Sequence, residues 1–577
     1  MVQDISKQNK TGDRMPTGTP RGFRDILPSE ALDRERITSK VRSSFSQHGY
    51  LPVETPLLEY RDVLERGSRI ADSPFQLFDT DDALLVMRPD LTLPIARLVS
   101  TRLATAHLPL RLRYEAPVVR EESQLRGQPR QFTQLGVELI GNDGLSSERE
   151  VVQLLGETLD GLGAAAWRIV CGSVVPMNAL LETCVGDAAL VERIRACVHS
   201  SNFVLLDSCV NKALEQGHIS PAAARALCEL PRLAGGAEII ETIDSLLCEA
   251  GVPEETRGTS ELRNLISEHS EFISDGRLTF DFSIINSFDY YTGSIFKAYA
   301  DGVAAPLASG GRYDVVLDKL GMPDVSACGF ALSLERLQEM LGKPGISGVV
   351  VAGGPASERP LRIAIPKGAL FEPTLSLLEH AGLPTEGLRE HDRKLVVRIG
   401  DVEYIIVRAS DAPSFVAYGG ADCGICGNDS LIETHADLLE LVDLNFGRCH
   451  FVVAEPKSAV GKAERAYSWR GTLRVATKYP RITQAYFDRI GKQVDIVSLH
   501  GNIELGPIVG MTDRIVDITQ TGTTLRENNL VVVDDNVLEC SARFFAGPAA
   551  WRCDPRIRKL STKLRLAAQD RTRREEQ

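Results

Sequence analysis

Residues 517–528 read DITQTGTTLREN. On their upstream side, Ile515-Val516-Asp517-Ile518-Thr519 is dominated by β-branched residues and ends in a turn cluster, which predicts a strand running into a loop. Downstream, Thr524-Leu525-Arg526-Glu527 has capping-box spacing, with Thr524 as helix cap and Glu527 reaching back to it. The stretch therefore predicts a strand–loop–helix unit, the building block of an α/β domain. Two uses of the loop fit these residues. It is a well-made turn that needs no ligand, or Gly522 lets the backbone curl so that N–H groups, threonine hydroxyls and the helix N-terminus surround a phosphate. One exposed terminus contributes only about 0.3–1 kcal/mol, so a phosphate site must draw its specificity from the converging hydroxyls. Asp517, at the strand end, then lies within reach of a sugar's hydroxyls. The chain has no G-x-x-x-x-G-K-[ST], which argues against a P-loop NTPase.

Strand and helix patterns alternate around this loop. LRIAIPKG, LVVRIGDVEYIIVRA, ADCGICG, TLRVATKYP and KQVDIVSL read as strands, separated by helical stretches such as FEPTLSLLEHAG and RITQAYFDRIG. Before them, GISGVVVAGGPASERP has the Gly, Ala, Ser and Pro content of a linker. The chain divides into a disordered tail over 1–16, a unit of mixed helices and strands over 17–342, a linker over 343–360 and an α/β unit over 361–577. From Arg556 onward, RIRKLSTKLRLAAQDRTRREEQ is basic and amphipathic without interleaved aromatics, which predicts a solvated terminal helix rather than a nucleic-acid contact.

Bulk properties narrow the function classes. At 577 residues, with 43% hydrophobic and 25% charged, the chain is of ordinary globular composition and long enough for several cores. A net charge of -13 disfavours nucleic acid or an anionic membrane as partner, while leaving room for a local basic cleft. No apolar run approaches a membrane span, and the N-terminus lacks a signal-peptide core. The 12 cysteines are scattered through apolar segments, which predicts reduced thiols in a cytoplasmic protein. Cys423-Gly-Ile-Cys426 has no second pair or flanking histidines, so buried strand-end thiols are expected there rather than zinc or redox chemistry.

Taken in order, LRIAIPKG, RKLVVRIGDVEYIIVRASDAPSFVAYGGADCGICGND, RVATKYPRIT and DITQTGTTLRENNL make residues 361 to about 545 resemble the short form of ATP phosphoribosyltransferase. The resemblance implies an α/β, two-domain periplasmic-binding-protein-like fold with the site in its cleft. It also implies transfer of the ribose of phosphoribosyl pyrophosphate to N1 of ATP, with Mg²⁺ present but no fixed protein ligands for it. By motif match, Asp517 holds the ribose hydroxyls and Thr521, Gly522, Thr523 and Thr524 hold the 5-phosphate. Lys367, Arg393 and Arg408 are cations for phosphates, with Lys367 and Arg408 joining Asp517 as catalytic candidates, and Glu504 is a candidate for ribose or metal contact. This chain departs from the family pattern at Val516, where the general motif has a second acid, and at Ala369 and Thr523, where the family often has Arg.

Upstream, GFRDILPSEA, LPVETPLLEY, MRPDLTLPIAR, VVREE with RQFTQLGVELIG, SFDYYTGSIFKAYADG, GGRYD and CGFALSLERL make residues 17 to about 342 resemble histidyl-tRNA synthetase and its paralogue, the transferase regulatory subunit. This implies an α+β, class II aminoacyl-tRNA synthetase-like antiparallel-sheet domain, dimeric in the family. At positions where the synthetase carries two ATP-directed arginines this sequence has Gln128 and Asn286, and the anticodon-binding domain is replaced by the transferase-like unit. The histidine-pocket candidates are retained: Asp90 and Thr92 for the α-amino group, Arg120 for a carboxylate, and Gln134, Glu138 and Tyr290 or Tyr291 for the ligand's polar edges.

The two resemblances converge on a fused, histidine-regulated ATP phosphoribosyltransferase acting at the first step of histidine biosynthesis. Its ligands would be ATP, phosphoribosyl pyrophosphate and L-histidine, and it would be a homo-oligomer. The alternatives are a bifunctional synthetase-transferase and a non-catalytic histidine-binding assembly protein.

Overall fold

Residues 18–67, 75–120, 129–142, 144–164, 166–284, 291–342, 359–389, 394–519 and 522–575 are described in the computed structural model, those of 523, 524 and 572–575 by backbone only. The expected tail over 1–16, positions 343–358 of the expected linker, and Gln128, Asn286, Tyr290, Arg393 and Thr521 lie outside the described residues.

Upstream, the described strands form two sheets. Strands β1 (Leu51–Pro52), β5 (Leu110–Val119), β6 (Gln131–Ile140), β7 (Trp167–Ser173), β8 (Ala234–Gly235), β9 (Leu278–Asp281), β10 (Ser294–Ala300), β11 (Ala308–Arg312) and β12 (Ala327–Ser333) make a nine-stranded sheet in the order β1-β5-β6-β12-β11-β10-β7-β9-β8. Its pairings are antiparallel except at β1–β5 and β7–β9. Strands β2 (Leu58–Tyr60), β3 (Gln76–Phe78) and β4 (Leu84–Met87) form a small sheet beside it. Period-2 alternation shapes β6, where Leu135, Val137 and Leu139 point into the main core while Gln134 and Glu138 share the other face. The long helices Pro28–Gln47 and Gly144–Leu162 cover the apolar face. This is the antiparallel, helix-flanked architecture expected, with a helical block over 175–274 inserted between β7 and β9.

Downstream, two α/β lobes follow. The first holds β13 (Leu361–Pro366), β14 (Val396–Ile399), β15 (Val402–Val407), β16 (Cys423–Gly427), β17 (Leu439–Asp443) and β23 (Ala542–Ala546), ordered β14-β15-β13-β16-β23-β17. The second holds β18 (Cys449–Pro456), β19 (Leu473–Thr477), β20 (Val494–Ser498), β21 (Arg514–Thr519) and β22 (Leu530–Cys540), ordered β20-β19-β21-β18-β22. The chain crosses between lobes twice, from β17 to β18 and from β22 through Ser541 to β23. Two α/β lobes joined in this way agree with the two-domain transferase unit that the sequence implies. Cys423 and Cys426 are fully buried in β16, as expected, with their thiols pushed well above the usual range by burial.

The last two helices correct one expectation. Helix Pro555–Glu575 is amphipathic but not solvated: Ile557, Leu560, Leu564 and Ala567 are buried in a core that runs from the upstream sheet into the first lobe. Its basic residues were the visible signal, and the apolar stripe between them decided its placement. The preceding helix, Pro548–Cys553, lies on the upstream sheet. There Ala549 packs with Val170, Ile295 and Tyr299, and buried Arg552 donates to the Tyr299 hydroxyl (2.9 Å) and the Ser283 carbonyl (3.3 Å). Arg558 pairs with Asp281 (3.1 Å), and Arg168 donates to the Cys553 carbonyl (3.0 Å). A second junction joins the helical block to the first lobe, where Asn202 bonds Glu440 (3.0 Å) and the Glu440 N–H donates to the Ser201 carbonyl.

Candidate active site and ligand pocket

A cavity of about 530 Å³ lies between the downstream lobes, within the size range of small-molecule sites. Each wall is built from a chain segment leaving a strand. From the first lobe come Ala369, Leu370, Ala409, Gly427 and Asp429; from the second come Glu504, Asp517, Thr519, Gly522 and Leu525. The crossings contribute Gly447, Cys449, Cys540 and Ser541. The second crossing is tied down locally: Ser541 N–H donates to Asn428 Oδ1 (3.1 Å) and Ser541 Oγ to Asp443 Oδ1 (2.8 Å).

The loop after β21 is a turn and a cleft wall at once. Gly522 has φ +70°, the left-handed region a side chain disfavours, and its N–H donates to Thr519 Oγ1 (2.8 Å). The helix that follows spans Thr523–Glu527, and Arg526 N–H closes its first turn on the Gly522 carbonyl (3.1 Å). The expected cap is therefore corrected. Thr524 is inside the first turn rather than ahead of it, because the glycine lets the chain turn into the helix two residues earlier.

Burial, with Glu504 adding repulsion, holds Asp517 up at about 6, against the pull of the Ile518 N–H and Lys478. Burial raises Asp429 as well, with Lys478 again opposing. Lys478 thus stands near both carboxylates. Asp517, Glu504 and Gly522 are brought together as expected. Lys367 and Arg408 are exposed and do not line the cavity; they leave the adjacent parallel strands β13 and β15, with Lys367 N–H bonded to the Val407 carbonyl (2.7 Å), and flank Ala369 and Ala409 at its mouth. Asp429, Lys478, Cys449 and Cys540 were not singled out by the sequence. The signal for Asp429 was the polar GND that ends the CGICG strand, which reads first as a thiol question.

A second, smaller cavity of about 90 Å³ sits on the open face of the nine-stranded sheet. Asp90, Thr92, Arg120, Gln134 and Tyr291 line it as expected, joined by Ser309, Ser333 and Arg336. Gln134 Oε1 and Ser309 Oγ are buried without a hydrogen-bond partner, an arrangement that favours a polar ligand. Asp90 is half-buried at the cavity wall, and burial raises its carboxyl with Arg120 opposing. Arg120 also donates to the Pro89 carbonyl (2.5 Å). Glu138 corrects an expectation, because it does not line the cavity. It lies behind the wall, taking hydrogen bonds from Thr92 Oγ1 (2.9 Å) and the Tyr313 hydroxyl (2.5 Å), and burial pushes it up to about 8. It braces Thr92 instead of reading a ligand.

Comparisons agree with this division. Residues 22–337 match the family model for histidyl-tRNA synthetase and residues 408–566 the one for ATP phosphoribosyltransferase. The chain is 48% identical over 194 residues to an ATP phosphoribosyltransferase of Rubrobacter xylanophilus, covering 34% of this chain and 89% of that protein. It is 33% identical over 332 residues to the ATP phosphoribosyltransferase regulatory subunit of Geobacillus thermodenitrificans, covering 57% and 82%. The solved structure of an ATP phosphoribosyltransferase regulatory subunit/histidyl-tRNA synthetase from Bacillus halodurans is similar at TM-score 0.52 and 28% identity, covering 68% of this chain and 99% of that one.

Proposed function

We propose that this chain, which belongs to the histidyl-tRNA synthetase family over its upstream unit and to the ATP phosphoribosyltransferase family over its downstream unit, joins a histidine-responsive regulator to its catalyst in one polypeptide. The downstream unit is an ATP phosphoribosyltransferase, forming phosphoribosyl-ATP and pyrophosphate at the first step of histidine biosynthesis. The observation that carries the site assignment is the single cavity that sets Asp517, Glu504 and Gly522 against Asp429.

The reaction needs alignment and charge balance more than covalent help. Two anionic substrates must be held so that N1 of ATP faces C1 of the ribose, and orientation of this kind supplies up to about 7–11 kcal/mol. Asp517 accepts the ribose hydroxyls, and Gly522, with its left-handed backbone, and the helix turn that follows it cradle the 5-phosphate. Thr521, Thr523 and Thr524 are assigned to the same phosphate by motif. Lys478 offsets the carboxylates, while Lys367 and Arg408 at the mouth, with Arg393, meet the outer phosphates.

Among the described residues no three carboxylate, imidazole or thiol groups converge as a metal site. The separate carboxylates Asp517, Asp429 and Glu504 fit a Mg²⁺ that arrives on the diphosphate, since Mg²⁺ usually keeps waters and takes only one or two protein carboxylates. When bound it supplies charge neutralisation to the leaving pyrophosphate.

The small upstream cavity is the proposed histidine site. Asp90 receives the α-amino group, Arg120 the carboxylate, and Gln134, Tyr290 or Tyr291 and Ser309 the imidazole edge. Feedback follows only if histidine binds two arrangements of the chain unequally. Covalent linkage sets the stoichiometry at one to one and holds the partners at high effective concentration. Further parts of this reading are a homo-oligomer working in the cytoplasm, with neither nucleic acid nor membrane as partner. Among the described residues no helix is long and apolar enough to cross a membrane. The test is phosphoribosyl-ATP formation from ATP and phosphoribosyl pyrophosphate, with and without histidine. Formation that histidine inhibits or activates is expected; formation indifferent to histidine would remove the regulatory half.

A further inference from the structure

Two cysteines face each other where both chain crossings meet the second lobe. Cys449 is the first residue of β18 and Cys540 the last of β22, and they are direct register partners in an antiparallel pair. Directly opposed residues in such a pair have Cα atoms about 4.5–5.5 Å apart, inside the window of about 4.4–6.8 Å that a disulfide spans. The register stays regular through the next two pairs, His450 with Glu539 and Phe451 with Leu538. Both thiols are free, and both line the cleft beside Asp517 and Asp429.

We propose that Cys449 and Cys540 form a reversible disulfide on the floor of the phosphoribosyl-transfer cleft when the protein meets a peroxide. Cys449 is the attacking group, because it is half-buried in the cleft wall while Cys540 is buried, so an oxidant reaches it first. Cys449 sulfur bonds to one peroxide oxygen as the O–O bond breaks, giving a sulfenic acid and water. Cys540 sulfur then attacks the sulfenic sulfur, the S–O bond breaks, and the second oxygen leaves as water with the Cys540 proton. Two thiols lose two electrons and one hydrogen peroxide becomes two waters. A dithiol reductant reverses the change by exchange. By contrast, Cys423 and Cys426 are fully buried in the first-lobe sheet, with thiols pushed well up, and have no access to an oxidant from the cleft.

The position gives the bond its consequence. Any rotation of one lobe against the other must pass through the two crossings, at 444–448 and at Ser541. A disulfide ties their second-lobe ends together and reshapes the wall beside Asp517. Small misplacements of reacting groups cost up to roughly 10²-fold in rate, so turnover is expected to fall by about tenfold or more.

The experiment treats the reduced full-length protein with hydrogen peroxide, alkylates free thiols, and maps peptides by mass spectrometry while phosphoribosyl-ATP formation is followed in parallel. A linked Cys449–Cys540 peptide that rises as turnover falls is expected, with dithiothreitol reversing both. Cys449→Ser, which removes the attacking thiol, is expected to lose the dithiothreitol-reversible inhibition when read against its own reduced turnover. The proposal is overturned if Cys449 and Cys540 remain alkylatable after oxidation, if the linked peptide forms with turnover unchanged, or if Cys449→Ser keeps the reversible inhibition. Linkage is read by mass alone, so it is decided separately from the assignment of the transferase cleft, which the reduced sample tests before oxidant is added.

Discussion

Replacing Asp517 by asparagine should make the second lobe more stable and the enzyme inactive. The carboxyl is held at about 6 in the free protein against an ordinary value of 3.8, chiefly by burial. Because the folded value is the higher one, folding favours the protonated form. That advantage is complete below 3.8 and is lost as pH rises through about 6; above it, ionised Asp517 carries a full cost. Two pH units at 1.36 kcal/mol each put the cost at about 3 kcal/mol. Asparagine keeps the size and carries no such penalty, so Asp517→Asn should gain up to about 3 kcal/mol at pH 8, and the gain should shrink between pH 6 and pH 4. Hydrogen exchange at the β18 and β21 amides, variant against parent at each pH, reads this lobe without assuming that the whole chain unfolds as one unit. Turnover should fall by at least about 10²-fold, because hydrogen bonds from two ribose hydroxyls to a charged acceptor contribute roughly 1.5–3 kcal/mol each. A variant less stable than the parent at pH 8, or an equal gain at pH 4 and pH 8, would refute the assignment of a strained, buried carboxylate.

Three other perturbations test other parts of the molecule. Arg552→Met removes the donor that satisfies Tyr299 and Ser283 across the unit junction, at a cost of about 1–3 kcal/mol for leaving buried acceptors unpaired; denaturant unfolding should show the loss, and phosphoribosyl-ATP formation should survive with a weakened histidine response. Glu138 is held at about 8 against an ordinary 4.5, so the stability its protonated form gives is complete below 4.5 and falls as pH rises from there to about 8; thermal stability of the parent relative to Glu138→Gln should decline across that interval and level off above pH 8. Lys478→Ala leaves Asp517 and Asp429 without the cation that offsets them, so their repulsion of an anionic substrate should raise the Michaelis constant for phosphoribosyl pyrophosphate by about tenfold, whereas an unchanged constant would show that Lys478 does not screen the cleft.

Local pattern carried the strand order far less well than it carried the strands. β21 was legible from five residues because β-branched content and a turn cluster act locally. The pairing of Cys449 with Cys540 was not, since it joins residues far apart in sequence through a register that only the folded lobe defines. Ordered motifs identified both units, and Asp517, Glu504 and Gly522 do share one cavity. Lys367 and Arg408 were placed by motif, yet at the end of a strand the side-chain direction decides between lining a cleft and flanking it. Glu138 shows the same limit in a sheet: its face was readable from alternation, but its burial behind Thr92 was not.

The junction between the units narrows where a histidine response can travel. Lys297 on β10 is the register partner of Ser309 on β11, and Ser309 pairs with Ala331 on β12, so the three share one face of the sheet. Ser309 and Ala331 line the small cavity. Two residues along β10 on that face, Tyr299 receives Arg552 from the docking helix. Lys297 is buried between these points and held down to about 7 by burial and by Arg552. The docking helix follows β23 after Gly547 alone, and β23 begins one residue past Ser541, which lines the catalytic cleft. Pocket, buried lysine, docking helix and cleft are thus joined by one sheet face and one short strand. Contact of this kind does not amount to coupling until two arrangements of it exist with different histidine affinity. Lys297→Met supplies the decisive comparison, because it removes a titratable charge from this face without touching either ligand site. If the response travels here, the variant should make phosphoribosyl-ATP at the parent's rate, bind histidine, and no longer convert binding into a change of rate. An unaltered histidine response would move the route to the other junction, where Asn202 and Ser201 meet Glu440 on β17.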